Sequence, residues 1–137
     1  MGEKGNIIYK IEKGRAEFAY KCVEDVIKKS DQKKKKEYQS HVKRIPQMIL
    51  SNGLGQTLAF IKAKSKKGNS YDLIYKQLTD YMKSDCTSRI SMPDNESDLI
   101  EWVISCDSID YRYITQEVIA FLGWLRRFVE GLIKEDN

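Results

Sequence analysis

Ile114, Val118, Phe121, Leu125, Phe128 and Leu132 recur at intervals of 4, 3, 4, 3 and 4. That period returns each side chain to one face of an α-helix, whereas a strand alternates faces at every residue. A helix with so long an apolar stripe must lay it against other helices, so the pattern predicts a packed bundle. Asp107-Ser108 or Asp110 is placed to cap its entry, and Lys134 near its end complements the helix dipole.

The rest of the chain agrees. Only two prolines, Pro46 and Pro93, interrupt 137 residues, and Lys, Glu, Leu and Ile are abundant. Helical spacing predicts a first helix over about 15–29, with Ala16, Ala19, Val23 and Val26/Ile27 on one face. A second, over about 34–51, carries Tyr38, Val42, Ile45 and Ile49; Pro46 within it predicts a kink or break near Arg44–Ile45. Asn52-Gly53 reads as its C-terminal cap, with Gly53 free to take positive φ. A third helix, over about 54–66, buries Leu54, Leu58 and Ile61, and a fourth, over about 70–84, buries Tyr71, Ile74, Leu78 and Tyr81. A short fifth, over about 97–106, carries Leu99, Ile100, Val103 and Ile104. Residues 1–13 form an N-terminal arm whose Ile7–Ile11 patch extends the first helix or docks on a neighbour. Residues 86–96 form the main loop. The expected fold is all-α: a compact single-domain bundle of about six helices spanning 1–137, with a long C-terminal helix.

Charge is divided along the chain. Residues 1–67 hold 17 Lys and Arg against 7 Asp and Glu, a net of +10; residues 68–137 hold 7 against 13, a net of −6. Such a division predicts two faces for two kinds of partner, polyanion on one side and a basic neighbour on the other, or else mutual neutralisation within the fold.

Constellations for chemistry are sparse. Cys22, Cys86 and Cys106 have no CxxC or Cys/His spacing, so no zinc site is expected; they read as small buried hydrophobes in a reducing compartment. No window is apolar enough to span a membrane and no signal peptide is evident, so the expectation is a cytoplasmic protein. His41 is the sole histidine, and adjacent helical residues do not face each other, so Ser40-His41 is no nucleophile–base pair. Glu24/Asp25, Glu96/Asp98 and Glu135/Asp136 lack the convergent oxygens of a metal site. The expectation is no catalytic residue, no metal and no cofactor. Gly53 and Gly55 fit neither a phosphate loop nor a dinucleotide fingerprint. They make a tight turn, or else place amides at the start of the third helix, with Gln56 and Thr57, on a backbone phosphate.

The basic residues carry the functional signal. Lys28, Lys29, Lys33–Lys36, Lys43 and Arg44 surround the first interhelical turn, and Lys62, Lys64, Lys66 and Lys67 lie at the end of the third helix. Clusters of this kind attract phosphates through counterion release. Tyr38 and Tyr9 are the aromatics nearest this charge, and Tyr38 lies on the apolar stripe, which favours backbone contact over base stacking. Of Arg126-Arg127, one is a surface contact and the other pairs with Glu130. Trp102 and Trp124 read as core anchors.

Several of these residues together resemble the small all-helical subunit of the type III-B CRISPR effector, the RNA-guided Cmr complex. The resemblance is carried by Arg15, Ala16 and Ala19, by Tyr38, Ile45-Pro46 and Ile49, and by Asn52-Gly53-Leu54-Gly55-Gln56-Thr57-Leu58-Ala59-Phe60. Near the end it is carried by Asp110-Tyr111-Arg112, Ile114-Thr115, Glu117, Phe121-Leu122, Trp124-Leu125 and Arg127-Phe128. It covers about 15–134; the N-terminal arm and the loop at 86–97 match no pattern. It implies a non-catalytic subunit whose copies stack along a ribonucleoprotein, opposite the backbone subunits that hold guide RNA, lining the path of single-stranded target or guide–target duplex RNA. Arg15, Lys21, Lys43, Arg44, Gln56, Lys62, Lys64, Lys66, Arg126 and Arg127 are the expected RNA or subunit contacts, with Pro46, Asn52, Gly53 and Gly55 forming a structural turn. Two further readings stay open: a free-standing binder of single-stranded nucleic acid, and a helical protein–protein adaptor.

Overall fold

A computed structural model describes the backbone of residues 3–134 and the side chains of residues 8–134. It contains six helices: α1 (Glu3–Lys29), α2 (Gln32–Asn52), α3 (Leu54–Lys64), α4 (Ser70–Lys83), α5 (Leu99–Ser105) and α6 (Ser108–Leu132). No strand occurs among the described residues. The Ile7 side chain and the Glu135/Asp136 pair lie outside them.

The central element is α6. It packs along α1 on one side and α2 on the other, while α4 and α5 also reach it. Ile114, Val118, Phe121 and Leu125 are wholly buried, as the spacing predicts. Beyond Leu125 the buried row moves to Val129 and Ile133, with Leu122 joining it a turn earlier, leaving Phe128 and Leu132 only partly covered. A helix with neighbours on two sides buries a broader arc than one apolar row. The Val129 carbonyl accepts from Gln39 Nε2 of α2 at 3.1 Å, whereas Phe128 meets Tyr20 of α1 edge-on at 5.3 Å.

Three helices begin on side-chain caps of the expected kind. Asp31, Asn69 and Asp107 accept from the backbone N–H groups of Lys34, Asp72 and Asp110, respectively. Helical backbone continues through Pro46, so of the expected kink or break the break does not occur. A mid-helix proline costs about 3 kcal/mol, and burial of Val42, Ile45 and Ile49 around it outweighs that loss. The N-terminal arm is helical from Glu3 and continuous with α1, leaving Ile8 and Tyr9 exposed.

In α5 the inward residues are Leu99, Trp102 and Val103; Ile104 is 67% exposed. Only one arc of so short a helix meets the core, and Ile104 lies a further 100° or so around the axis from Val103. Tyr71 and Ile100 are partly rather than fully buried.

Candidate nucleic-acid interface

The Gly-Leu-Gly segment joins α2 to α3 with no intervening loop. Gly53 has φ 89° and ψ 161°, a region open essentially to glycine alone. Its N–H donates to the Ile49 carbonyl at 2.8 Å, closing α2, and its own carbonyl accepts from the Thr57 hydroxyl at 2.8 Å, opening α3. The Gly55 N–H donates to the Tyr111 hydroxyl at 2.8 Å. A Cβ on Gly55 would lie 3.4 Å from that same oxygen, so small size there admits the tyrosine. Thr57 is buried. Of the groups offered to a phosphate in the sequence reading, the Gly55 amide and the Thr57 hydroxyl are therefore engaged within the protein, where they shape the turn. Gln56 remains beside it, exposed.

Arg15 also turns inward. Its side chain is 8% exposed; Nε donates to the Tyr81 hydroxyl at 2.9 Å and Nη2 to Glu117 at 3.2 Å. Glu117 accepts in addition from the Tyr81 hydroxyl and from both the N–H and the hydroxyl of Ser88. Burial by itself would raise the Glu117 pKa, but the Ser88 and Tyr81 hydrogen bonds and the Arg15 charge hold it below the usual carboxylate range. One ionised cluster thus ties α1, α4, the 84–98 loop and α6 together. Arg15 is a buried structural residue rather than an outward contact, because leaving a guanidinium in the core requires a carboxylate partner.

The other expected contacts distribute over several surfaces. Lys62 pairs with Asp98, which also accepts from the Tyr75 hydroxyl; the pair holds the entry of α5 against α3 and α4. Arg126 pairs with Glu130 at 3.0 Å, and Arg127 lines a shallow groove of about 330 Å³ between α1 and α6 with Glu12 and Trp124. Lys21 lies at a second shallow groove, against α4, beside Asp25 and Asp80. Lys43 is partly buried on α2, and its charge is felt by Glu130.

Arg44, Lys64 and Lys66 are exposed. Arg44 Nη2 donates to the Tyr71 hydroxyl at 3.1 Å, and the Lys64 ammonium lies 5.8 Å from the centre of the Phe60 ring. Lys66 follows in the α3–α4 turn, where a Cβ on Gly68 would lie 3.9 Å from the Lys34 ammonium. The first turn of α2 and the end of α3 thereby form one basic surface. It includes aromatic rings, contrary to the expectation that Tyr9 and Tyr38 stood nearest the charge: Tyr38 is buried, while Phe60, Tyr71 and His41 border Arg44 and Lys64. Phe60 and Lys64 stand four residues apart on α3, a signal present in the sequence; Tyr71 and His41 join them only through packing.

His41 is a half-buried boundary residue whose Nδ1 lies 2.7 Å from the Ser70 hydroxyl. Burial first, and the Arg44 charge second, lower its pKa. The three cysteines are free and partly buried, and burial followed by Asp80 and Asp25 pushes the Cys22 thiol up to about 12. Trp102 is a core anchor, whereas Trp124 is only partly buried and stacks on Phe128. No cluster of three His, Cys, Asp or Glu side chains suited to a metal occurs among the described residues, and no helix there is long and apolar enough to cross a membrane.

Sequence comparison matches residues 11–132 to a family of CRISPR-associated proteins, Cas_Cmr5. The chain belongs to the Cmr5 family. The "CRISPR system Cmr subunit Cmr5" of Thermus thermophilus is 25% identical over 118 residues, covering 86% of this chain and 94% of that protein. The crystal structure of a Cmr5 family protein from the same organism superposes with a TM-score of 0.71 at 23% identity. That superposition covers 90% of this chain and 97% of the other, and the shared fold is the helical bundle. The sequence segments that carried the family resemblance meet in space, at Gly55 with Tyr111 and at Arg15 with Glu117.

Proposed function

We propose that the chain is a non-catalytic small subunit of a type III-B Cmr ribonucleoprotein, stacking in copies along the particle and turning a basic face toward the target RNA. The separation of charge in the fold carries this reading. From Gln32 to Lys67, through α2, α3 and the turn after it, ten Lys and Arg stand against one acid, Glu37. Such a surface binds phosphate backbones with little regard to sequence. Opposite in sign are the 84–98 loop and α5, where Asp85, Asp94 and Glu101 are exposed. They suit a basic neighbour, and the exposed Leu50, Ile104 and Ile109 add apolar contact area of the kind that subunits cover. Copies of the chain and the backbone subunits of the effector are the partners this arrangement fits.

Affinity purification from the native host, with sequencing of bound RNA and identification of bound proteins, tests it. Short guide RNAs sharing a repeat-derived tag, together with larger subunits in fixed stoichiometry, are expected. Heterogeneous RNA without such partners would favour a free-standing binder. Partner binding that ignores salt and survives charge reversal at Lys64 and Lys66 would favour an adaptor.

A further inference from the structure

Packing assembles on the basic face an aromatic cluster drawn from three helices. His41 and Arg44 lie one turn apart on α2, Phe60 on α3, and Tyr71 in the first turn of α4. The His41 ring stacks on Tyr71, with centroids 3.9 Å apart and planes 19° from parallel. Phe60 meets Tyr71 edge-on, at 5.8 Å and 85°. Arg44 holds the Tyr71 hydroxyl and Ser70 holds His41, so the rings stand on a fixed mount. Phe60 is nevertheless 36% exposed.

The surroundings of this cluster identify its occupant. The exposed apolar residues of α5 and the start of α6, Ile104 and Ile109, are aliphatic and neighbour the acids Glu101, Asp107 and Asp110 in the chain. Phe60 and Tyr71 are aromatic and are bordered by Arg44 and Lys64, with Lys66 and Lys67 in the next turn. Rings interleaved with cations on an open surface match a polyanion that carries π-faces, which is single-stranded nucleic acid.

We propose that Phe60, mounted on Tyr71, is a stacking platform for an unpaired base of single-stranded RNA, with Arg44, Lys64 and Lys66 taking the flanking phosphates. The proposal rests on the reading of this face as an RNA surface and adds base contact to backbone contact. Lys64 now lies toward the Phe60 ring, and its flexible stem lets the ammonium pass to a phosphate when a base takes the ring. Stacking of this kind tolerates any base, as a subunit serving many target sequences requires.

The test measures binding of the full-length protein to a fluorescent oligouridylate by anisotropy, with inorganic polyphosphate as a competitor that has charge but no bases. Phe60→Leu keeps apolar bulk and removes the ring; oligouridylate affinity is expected to fall roughly fivefold or more, with polyphosphate competition unchanged. Phe60→Trp, which enlarges the ring, is expected to match or exceed the wild type for oligouridylate. The Lys64→Glu/Lys66→Glu pair is expected to weaken both ligands. If Phe60→Leu binds oligouridylate like the wild type, or weakens both ligands equally, the platform is overturned while the basic face stands. A loss in Phe60→Trp as large as that in Phe60→Leu also overturns it. Wild-type protein that binds no oligouridylate, or binds it regardless of the charge reversal, overturns both the platform and the basic-face reading.

Discussion

Arg15 and Arg44 each donate to a tyrosine hydroxyl, at 2.9 and 3.1 Å, yet they stand in opposite environments. Arg15 is buried and its charge is answered by Glu117, which in turn holds Tyr81 and Ser88. Arg44 is exposed, and it holds the hydroxyl of a ring that stacks on His41. A buried charge must find its counterion inside the fold, because desolvation is otherwise too costly. An exposed cation remains hydrated and can exchange water and counterions for a ligand's phosphate. A short list of basic residues therefore mixes two kinds, and burial with its partner separates them.

The largest expected effect tests the buried side of this contrast. Glu117→Ala leaves the Arg15 charge with only the half-exposed Glu12, 3.1 Å away, as its counterion, and should cost about 3–5 kcal/mol in urea unfolding. A loss below about 1 kcal/mol would show that the cluster is not a structural hub. Gly53→Val follows. Positive φ with extended ψ strains a β-branched residue, and the expected loss is about 1–3 kcal/mol. Wild-type stability in that variant would mean that the α2–α3 turn relaxes without glycine. Arg44→Ala completes the mutational series, with a change in stability within about 0.5 kcal/mol. A loss comparable to that of Glu117→Ala would erase the distinction drawn between the two arginines.

The smallest effects are in pH dependence, and both regions have the same sign in different windows. His41 has a folded pKa below its ordinary 6.5, so the unfolded chain takes up its proton first. Its contribution is complete above pH 6.5 and declines as pH falls from there through the depressed folded value. Glu117 is likewise depressed below its ordinary 4.5, so its contribution is present above pH 4.5 and is lost as pH falls through its folded pKa. Urea midpoints measured across pH should show two steps, the upper absent in His41→Gln and the lower reduced in Glu117→Gln, the remainder belonging to Asp72 and Asp98, which are depressed as well. A lower step unchanged in Glu117→Gln would assign acid sensitivity to those other carboxylates alone.

How much of this was legible beforehand differs by element. The apolar spacing of α6 located its buried face through Leu125, and Asn52-Gly53 marked a turn that does carry positive φ. Of the kink or break expected near Pro46, the break did not occur, since core contacts on both sides of it hold the helix together. Ser88 and Asp98 gave no sign of their roles. They sit in a loop without periodicity and act on partners 29 and 36 residues away, Glu117 and Lys62 respectively. Tyr111 stood in a recognisable motif, but its contact with Gly55 spans 56 residues and has no local signature.

The sequence by itself determined what depends on near neighbours: the helical class, the cap at the entry of α6, the special backbone at Gly53, and the unequal distribution of charge. Propensity, periodicity and caps act within a few turns of chain, so they can be read without a fold. Only the tertiary structure decided which charges are spent internally and which are left exposed. It placed Arg15 against Glu117, engaged the Gly55 amide with Tyr111, and gathered His41, Phe60 and Tyr71 between Arg44 and Lys64. Burial and pairing are properties of surfaces brought together from distant parts of the chain, and those distances set whether a cation ends as a structural tie or a binding group.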